Sequence, residues 1–208
     1  METMTRERMA RTEKGRTLSL PTRSILRLLL LTGQRRGEVA GALKSELDLD
    51  AKEPVWMISG DRTKNGLLHR PPLCTQAKAE FAKAVAASPA KSPFVFPSAF
   101  DPLTTHISAE AITRAMARLV AELKIATVSP HDLRRTVGTE LARMGLPVHI
   151  RSLVLNHSPM SRGITDAVYN RYAYDSEKRA ALTGWEARLI ALVTQRRTEG
   201  AIAEANAA

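Results

Sequence analysis

Five short segments of the sequence carry side chains that together suit chemistry at a phosphodiester. In chain order they are residues 32–38 (TGQRRGE), 63–66 (TKNG), 131–134 (HDLR), 156–157 (NH) and 168–172 (VYNRY). Phosphoryl transfer concentrates negative charge on the non-bridging oxygens, which two guanidinium groups can grip bidentately. A histidine can donate a further hydrogen bond, and a lysine can protonate the leaving alkoxide. A tyrosine hydroxyl, whose pKa is near 10, attacks once a base or a cationic field assists it.

The local patterns around these side chains predict how they are presented. Arg35 follows a tight turn at the start of a predicted helix. Lys64 is predicted at the tip of a hairpin, because Asn65-Gly66 is the strongest local turn signal in that stretch. His131 and Arg134 stand three residues apart in a predicted helix, so they share one face of it. The patterns therefore favour a site built from several separate elements.

The order of these residues resembles the tyrosine recombinase (phage integrase) family. The resembling pattern is Arg, Lys, His-x-x-Arg, His and Tyr, with TGxRxxE around the first arginine. The VLNH and VYNRY segments are similar to those of phage and genomic-island integrases. The resemblance extends from Leu18 to about Arg197 and implies the catalytic domain of a site-specific DNA recombinase.

The resemblance also implies a role for each candidate residue. Arg35 and Arg134 would clamp the scissile phosphate, and Lys64 would be the general acid. His131 would accept the tyrosine proton, and His157 would support the phosphate. Tyr169 would attack to form a 3′-phosphotyrosyl link, which keeps the bond energy, so the resemblance implies neither a metal nor a nucleotide cofactor. Glu38 is expected to hold its motif in place without being catalytic.

Some of these assignments have rivals close by in the sequence. Arg36 competes with Arg35, although the TGxRxxE register favours Arg35. Tyr172 and Tyr174 compete with Tyr169, which matches the family segment best. His106 and His149 match no motif position and are expected to be non-catalytic.

The charge balance favours a polyanionic partner. Lysine and arginine number 31 against 21 aspartate and glutamate, which gives a net charge of +10 and a pI near 10.2. Nucleic acid is the commonest partner of such a chain. The basic residues are spread along the sequence instead of lying on one amphipathic helix, which disfavours a membrane-surface role.

The cysteine count and the apolar runs limit the class of protein further. Cys74 is the only cysteine, which excludes an intramolecular disulfide and a cysteine-based zinc cluster and is typical of a reducing cytoplasm. Residues 1–16 are charged and have no signal-type apolar stretch behind them. The most apolar run, residues 28–31, is too short to cross a bilayer. We therefore expect a cytoplasmic protein.

The hydrophobic periodicity predicts an α+β fold that is mainly α-helical, with one small antiparallel sheet. Strands are predicted at 54–58 and 67–73, joined by a turn at 61–66. Thr22, Ser108, Ser129 and Asp175 are predicted helix caps. Predicted helices cover 21–32, 36–43, 75–87, 108–123, 130–145, 147–155 and 175–197. The predicted domains are a flexible lead-in at 1–17, the catalytic domain at 18–199 and a disordered tail at 200–208.

The resemblance also implies partners and leaves alternatives open. It implies double-stranded DNA attachment sites, a monomer in solution, a homotetramer on paired sites, and accessory DNA-bending proteins. Family members usually carry a separate helical DNA-binding domain before the catalytic one, and we find no such segment before Leu18. The first alternative is therefore a truncated integrase relative that binds DNA without completing recombination. The second is a nicking and closing activity of the type IB topoisomerase kind.

Overall fold

A computed structural model describes residues 18–157 and 173–207. The predictions made for residues 1–17, for Tyr169 and for Tyr172 lie outside the described residues. The α-helices are α1 (Leu20–Thr32), α2 (Arg36–Ala40), α3 (Thr75–Ala87), α4 (Ala109–Leu123), α5 (Pro130–Arg143), α6 (Val148–Val154) and α7 (Asp175–Ala207). Strands β1 (Leu47–Asp48) and β2 (Val55–Trp56) and the 3₁₀ helices Lys44–Glu46 and Gly60–Arg62 lie between α2 and α3. The mainly helical α+β class is confirmed.

The turn between α1 and α2 depends on a glycine. The N-cap of α1 is Ser19 and not the predicted Thr22. Ser19 Oγ accepts from the Thr22 amide, and the Thr22 hydroxyl, in the first turn, also bonds to Ser19 Oγ. Gly33 ends α1 with a φ of 68°, and a Cβ there would stand 2.9 Å from Leu155 Cδ2. Only glycine fits both constraints. The chain can therefore turn sharply against the end of α6.

The predicted sheet is the clearest difference between sequence and structure. The paired strands are β1 and β2, antiparallel, with Leu47 opposite Trp56. The predicted partner, residues 67–73, meets the β2 segment only through isolated bridges of Val55 with Pro72 and Ile58 with His69. The prolines at 71 and 72 have no N–H to donate, so a continuous ladder cannot form there.

Two hydrophobic clusters hold the fold, and α1 lies between them. The first gathers the β-segments with α1, α3 and α4 around Leu28, Trp56 and Phe81. The second gathers α5, α6 and α7 around Leu141 and Trp185. Packing α5 and α6 in one cluster brings the first turn of α5 close to the last turn of α6. That junction is where the candidate residues meet.

The predicted helices are confirmed, and their ends differ by at most a few residues except in α7, which starts at its predicted cap Asp175 and ends ten residues beyond the predicted 197. Helix α3 has the predicted bounds, and Ser108 caps α4 by accepting from the Ala111 amide at 3.1 Å. Ser129 and Asp132 cap α5 reciprocally, and Ser129 holds the pKa of the Asp132 carboxyl below its usual range. Within residues 18–157 and 173–207, no helix is long and apolar enough to span a membrane.

The last helix has a packed first half and an exposed second half. Trp185 is buried and donates from Nε1 to the Leu30 carbonyl at 2.8 Å, and Arg188 Nε pairs with Glu140 at 2.6 Å. Beyond Arg188 the exposed apolar residues are Ile190, Leu192 and Val193. The helix continues to Ala207 and so includes residues 200–207, for which the sequence predicts a disordered tail.

Candidate active site

Arg35 is fixed at the start of α2 by Glu38. One oxygen of the Glu38 carboxylate accepts from the Arg35 amide at 2.9 Å, and the other accepts from Arg35 Nη1 at 3.0 Å. Glu38 is buried, whereas the Arg35 side chain keeps 26% of its surface exposed. The carboxylate therefore orients a guanidinium that remains accessible.

The last turn of α6 anchors both candidate arginines. Arg35 Nη2 donates to the Asn156 carbonyl at 2.9 Å, and Arg134 Nη2 donates to the Leu155 carbonyl. Arg134 Nη1 also donates to the Gly33 carbonyl at 2.7 Å. The carbonyls at a helix C-terminus lack partners within the helix and attract cations, so these bonds are favourable. They place the two guanidiniums side by side.

The electrostatics of this pair favour an anion. Arg134 is 4% exposed, and its pKa is lowered to about 10, mainly by burial and then by the charge of Arg35. Arg134 is thus still a cation at pH 7, close to a second cation. Glu38 offsets part of the repulsion. A bound phosphate would offset more of it, because each guanidinium can pair with its oxygens.

Two histidines border a cleft beside this pair. His131 lies on the first turn of α5, and His157 directly follows Asn156; both are exposed. The cleft has a volume of about 520 Å³ between α5 and α6, and its lining includes both histidines, Arg134 and Arg151. Burial and the charges of Arg134, Arg35 and His131 lower the pKa of His157. A neutral His157 can donate a hydrogen bond to a bound oxyanion.

Lys64 lies in an exposed turn whose tip contacts Asn156, the residue that anchors Arg35. The turn is closed by Thr63 Oγ1, which donates to the Leu67 carbonyl at 2.8 Å, and Asn65 Nδ2 donates to Asn156 Oδ1 at 2.7 Å. A Cβ at Gly60 would lie 2.4 Å from the Gly66 carbonyl oxygen, so the close return of the chain requires glycine there. The structure thus brings the Lys64 turn beside the segment that anchors Arg35.

Among the described residues, Arg36, His106 and His149 make contacts away from the arginine pair. Arg36 Nη1 donates to Thr113 Oγ1 on α4 at 2.6 Å. This contact supports Arg35, and not Arg36, as the arginine that pairs with Arg134. His106 stacks on Phe94 at 5.4 Å, and His149 meets the Tyr174 ring at 5.9 Å. Tyr169 lies outside the described residues, so its predicted place stays a prediction.

Several residues that support the site are not indicated by any sequence pattern. Gln34 is buried; its amide nitrogen donates to the Thr32 and Val154 carbonyls, and its oxygen lies 3.0 Å from His69 Nε2. Burial, followed by the charges of Lys178, Arg134 and Arg35, lowers the pKa of His69 to about 3, so His69 is neutral at pH 7. His69 has no sequence neighbour that signals this contact.

A second missed contact holds the base of the Lys64 turn. Arg62 pairs with buried Glu46 and donates from Nη2 to the Glu38 carbonyl at 2.8 Å. Glu46 also accepts from Trp56 Nε1 at 2.9 Å. The base of the turn is therefore tied to the helix that begins after Arg35. The TGxRxxE motif indicates a role for the Glu38 side chain, but no sequence pattern indicates that the Glu38 carbonyl accepts from Arg62.

Comparison with known proteins decides the family. The profile of the phage integrase family matches residues 3–176 of the sequence. The chain belongs to the phage integrase family. It is 29% identical to the prophage integrase IntA of Escherichia coli K12 over 174 residues, which are 84% of this chain and 40% of that protein. It is 26% identical to the tyrosine recombinase XerD of Rhizobium meliloti strain 1021 over 140 residues, which are 66% of this chain and 44% of that one.

A solved integrase has the same fold. The integrase of mycobacterium phage Brujita superposes with a TM-score of 0.61 at 18% identity, covering 80% of this chain and 52% of that one. The chain thus spans about half or less of each of these three proteins. The integrase-family fold is therefore shown for this chain.

Proposed function

We propose that this chain is the catalytic domain of a site-specific DNA recombinase that cleaves and rejoins duplex DNA. The observation that carries the proposal is the arginine pair held on consecutive carbonyls at the end of α6. The pair presents two guanidiniums together, with His131, His157 and the Lys64 turn around them. These hydrogen-bond donors and cations would stabilise the negative charge that develops on a phosphoryl group during transfer.

In the proposed reaction one P–O bond forms as another breaks, and every proton has a donor and an acceptor. Tyr169 Oη attacks the phosphorus while Arg35 and Arg134 hold the non-bridging oxygens, and His157 donates to one of them. The P–O3′ bond remains, the P–O5′ bond breaks, and Lys64 transfers its proton to the leaving 5′-oxygen. His131 accepts the tyrosine proton. Attack by a 5′-hydroxyl on the 3′-phosphotyrosyl link reverses these steps and reseals a strand, without an added metal or cofactor.

Covalent capture from a randomised pool tests the proposal and selects the target site in the same step. The full chain is incubated with a pool of nicked duplexes of randomised sequence, in which cleavage releases a short 5′-hydroxyl fragment that diffuses away. We expect denaturation-resistant protein–DNA adducts whose DNA shares a sequence, called here the captured duplex. Binding without adducts would instead support the non-cleaving relative. Relaxation of supercoiled plasmids without sequence preference would support the topoisomerase alternative.

The first prediction concerns Lys64. We expect Lys64→Ala to slow cleavage of the captured duplex by about 10²-fold, because loss of a general acid leaves the 5′-oxygen to depart as an alkoxide. The same variant should cleave a duplex with a 5′-bridging phosphorothiolate nearly as fast as the unmodified protein, since a thiolate leaves without a proton. Single-turnover adduct formation measures both rates. Equal slowing on the two substrates would contradict the general-acid role.

The second prediction concerns assembly, for which we propose a monomer in solution and a homotetramer on paired DNA sites. Helix α7 is packed as far as Leu189, and Ile190, Leu192 and Val193 beyond it are 47%, 42% and 45% exposed. Exposed apolar side chains grouped at the end of a helix are typical of an interaction surface, which we place against a neighbouring subunit. Deleting the residues after Leu189, which is the last residue packed on the second cluster, should keep the fold and DNA binding but abolish pairing of two duplexes in a gel assay.

A matched control separates assembly from folding. Replacing Trp185 with alanine in the full-length chain should instead lower the melting temperature, because Trp185 is buried in the second cluster. A truncated chain with a collapsed thermal transition would show that the end of α7 belongs to the core of its own subunit.

A further inference from the structure

Asn156 has an unusual backbone conformation for a residue with a side chain. Its φ is 46°, in the left-handed region, and it is 8% exposed. Asparagine is among the few residues other than glycine that adopt this conformation at small cost. Glycine at this position would satisfy the backbone equally well, so the backbone alone does not require the side chain. The side chain must be explained by what it contacts.

The Asn156 carboxamide is bonded to the Lys64 turn in a defined orientation. Asn65 Nδ2 donates to Asn156 Oδ1 at 2.7 Å, while Asn65 Oδ1 accepts from the Leu67 amide at 3.3 Å. Because the oxygen of Asn65 is used inside its own turn, its nitrogen must face Asn156. Asn156 therefore contributes an acceptor to the turn, and its own carbonyl accepts from Arg35 at 2.9 Å.

The tip of the turn has few other attachments. Leu67 and Leu68 are 60% and 64% exposed, so they contribute little packing. The Thr63 side chain bonds only to carbonyls at 60 and 67, within the turn itself. Among the hydrogen bonds that the structure describes for residues 64–68, the bond from Asn65 to Asn156 alone reaches outside residues 60–68.

From these contacts we infer that Asn156 is a positioning residue that latches the Lys64 turn to the arginine pair. One residue bonds to Arg35 through its backbone and to the neighbour of Lys64 through its side chain. The latch fixes the distance between the group that would hold the phosphate and the group that would protonate the leaving oxygen. This inference rests on the proposed function for its catalytic consequence, whereas the latch itself is a property of the protein without DNA.

Amide hydrogen exchange on the full chain without DNA tests the latch directly. Asn156→Gly keeps the left-handed backbone and removes the acceptor. Asn65→Ala removes the donor and also the oxygen that accepts from the Leu67 amide, so exchange at residue 67 is compared only in Asn156→Gly. Loss of a net hydrogen bond should speed exchange at residues 64–68 by roughly two- to tenfold in both variants. Leu68→Ala, an exposed change in the same turn, is the matched control and should leave that exchange unaltered. Unchanged exchange in Asn156→Gly and Asn65→Ala would overturn the latch.

Cleavage of the captured duplex tests its consequence. Asn156→Gly and Asn65→Ala should each slow cleavage of the ordinary phosphodiester by roughly two- to tenfold, and the double variant should be no slower than either. Neither should slow cleavage of the 5′-bridging phosphorothiolate, because that leaving group does not need Lys64. Equal slowing on both substrates would show that Asn156 acts through Arg35 or the fold, which overturns the inference.

The Lys64→Ala variant, measured in parallel, separates the two ways of failing. If Lys64→Ala distinguishes the two substrates while Asn156→Gly changes neither rate, the latch is wrong and the proposed function stands. If Lys64→Ala slows both substrates equally, the general-acid role is wrong, and the inference that Asn156 positions a general acid falls with it.

Discussion

Replacing Arg134 with alanine is expected to slow cleavage of the captured duplex by roughly 10³-fold, since removing one preorganised donor to a developing oxyanion has an effect of this order. Arg134 lies at the centre of the site, 4% exposed and bonded to the Gly33 and Leu155 carbonyls. Its loss removes a cation from the phosphate and also frees the end of α6 that anchors Arg35. Single-turnover adduct formation measures the rate.

The same variant should unfold at a lower temperature. Two carbonyls would lose their donor, which reduces the free energy of unfolding by about 2–4 kcal/mol. For a chain of this size the melting temperature should fall by roughly 5–15 °C. The cleavage assay is therefore run well below the melting temperature of the variant. Arg134→Lys keeps the charge but cannot reach both carbonyls with a planar fork, so we expect it to recover little of the rate.

Arg143→Ala is the matched control for the change in net charge. Arg143 lies on the same helix, with its side chain 66% exposed and paired with Glu140. Its replacement should alter cleavage by less than about threefold, because an exposed ion pair contributes little. Comparable slowing in the two variants would mean that total charge, and not the arginine pair, governs cleavage.

Replacing Tyr169 with phenylalanine is expected to abolish adduct formation altogether, while binding to the captured duplex is retained. The change removes only the hydroxyl oxygen that would form the phosphotyrosyl bond. Adduct yield after denaturation and binding in a mobility-shift assay are the two measurements. An adduct of normal yield in the variant would exclude Tyr169 as the nucleophile.

The rival tyrosines provide the controls for this prediction. Tyr174 adopts a φ of 51° directly before α7, and its ring lies 5.9 Å from the His149 ring. Tyr172→Phe and Tyr174→Phe should each still form the adduct. Mass spectrometry of the DNA-linked peptide in the unmodified chain identifies the residue, and an adduct on residue 172 or 174 would contradict the assignment.

The sequence predicts the residues of the site better than it predicts the pairing of strands in the sheet. Arg35 and Arg134 belong to motifs whose letters and spacing are local, and the structure places them together. Strand pairing needs backbone N–H donors along the whole length of both strands. The prolines at 71 and 72 have none, so the predicted partner forms only isolated bridges. Helix bounds were predicted well where a serine cap supplied a local signal, as at Ser108 and Ser129.

The supporting contacts could not be predicted because they join residues far apart in sequence. Gln34 meets Val154 across 120 positions, and Asn65 meets Asn156 across 91. Neither pairing produces periodicity or composition that a sequence pattern can show. A buried neutral histidine such as His69 is likewise defined by its neighbours in space, which lower its pKa through burial and positive charge.

The anchoring of Arg35 on the end of α6 has a consequence for synthesis on the ribosome. The guanidinium donor and its carbonyl acceptor are separated by 121 residues. At the usual rate of roughly 5–20 residues per second, about 6–24 seconds pass between the appearance of the two groups. A nascent chain therefore carries Arg35 without the turn that fixes it until a further 121 residues have been made. A nascent chain that ends before residue 155 would hold Arg35 and Arg134 without the two carbonyls on which they meet.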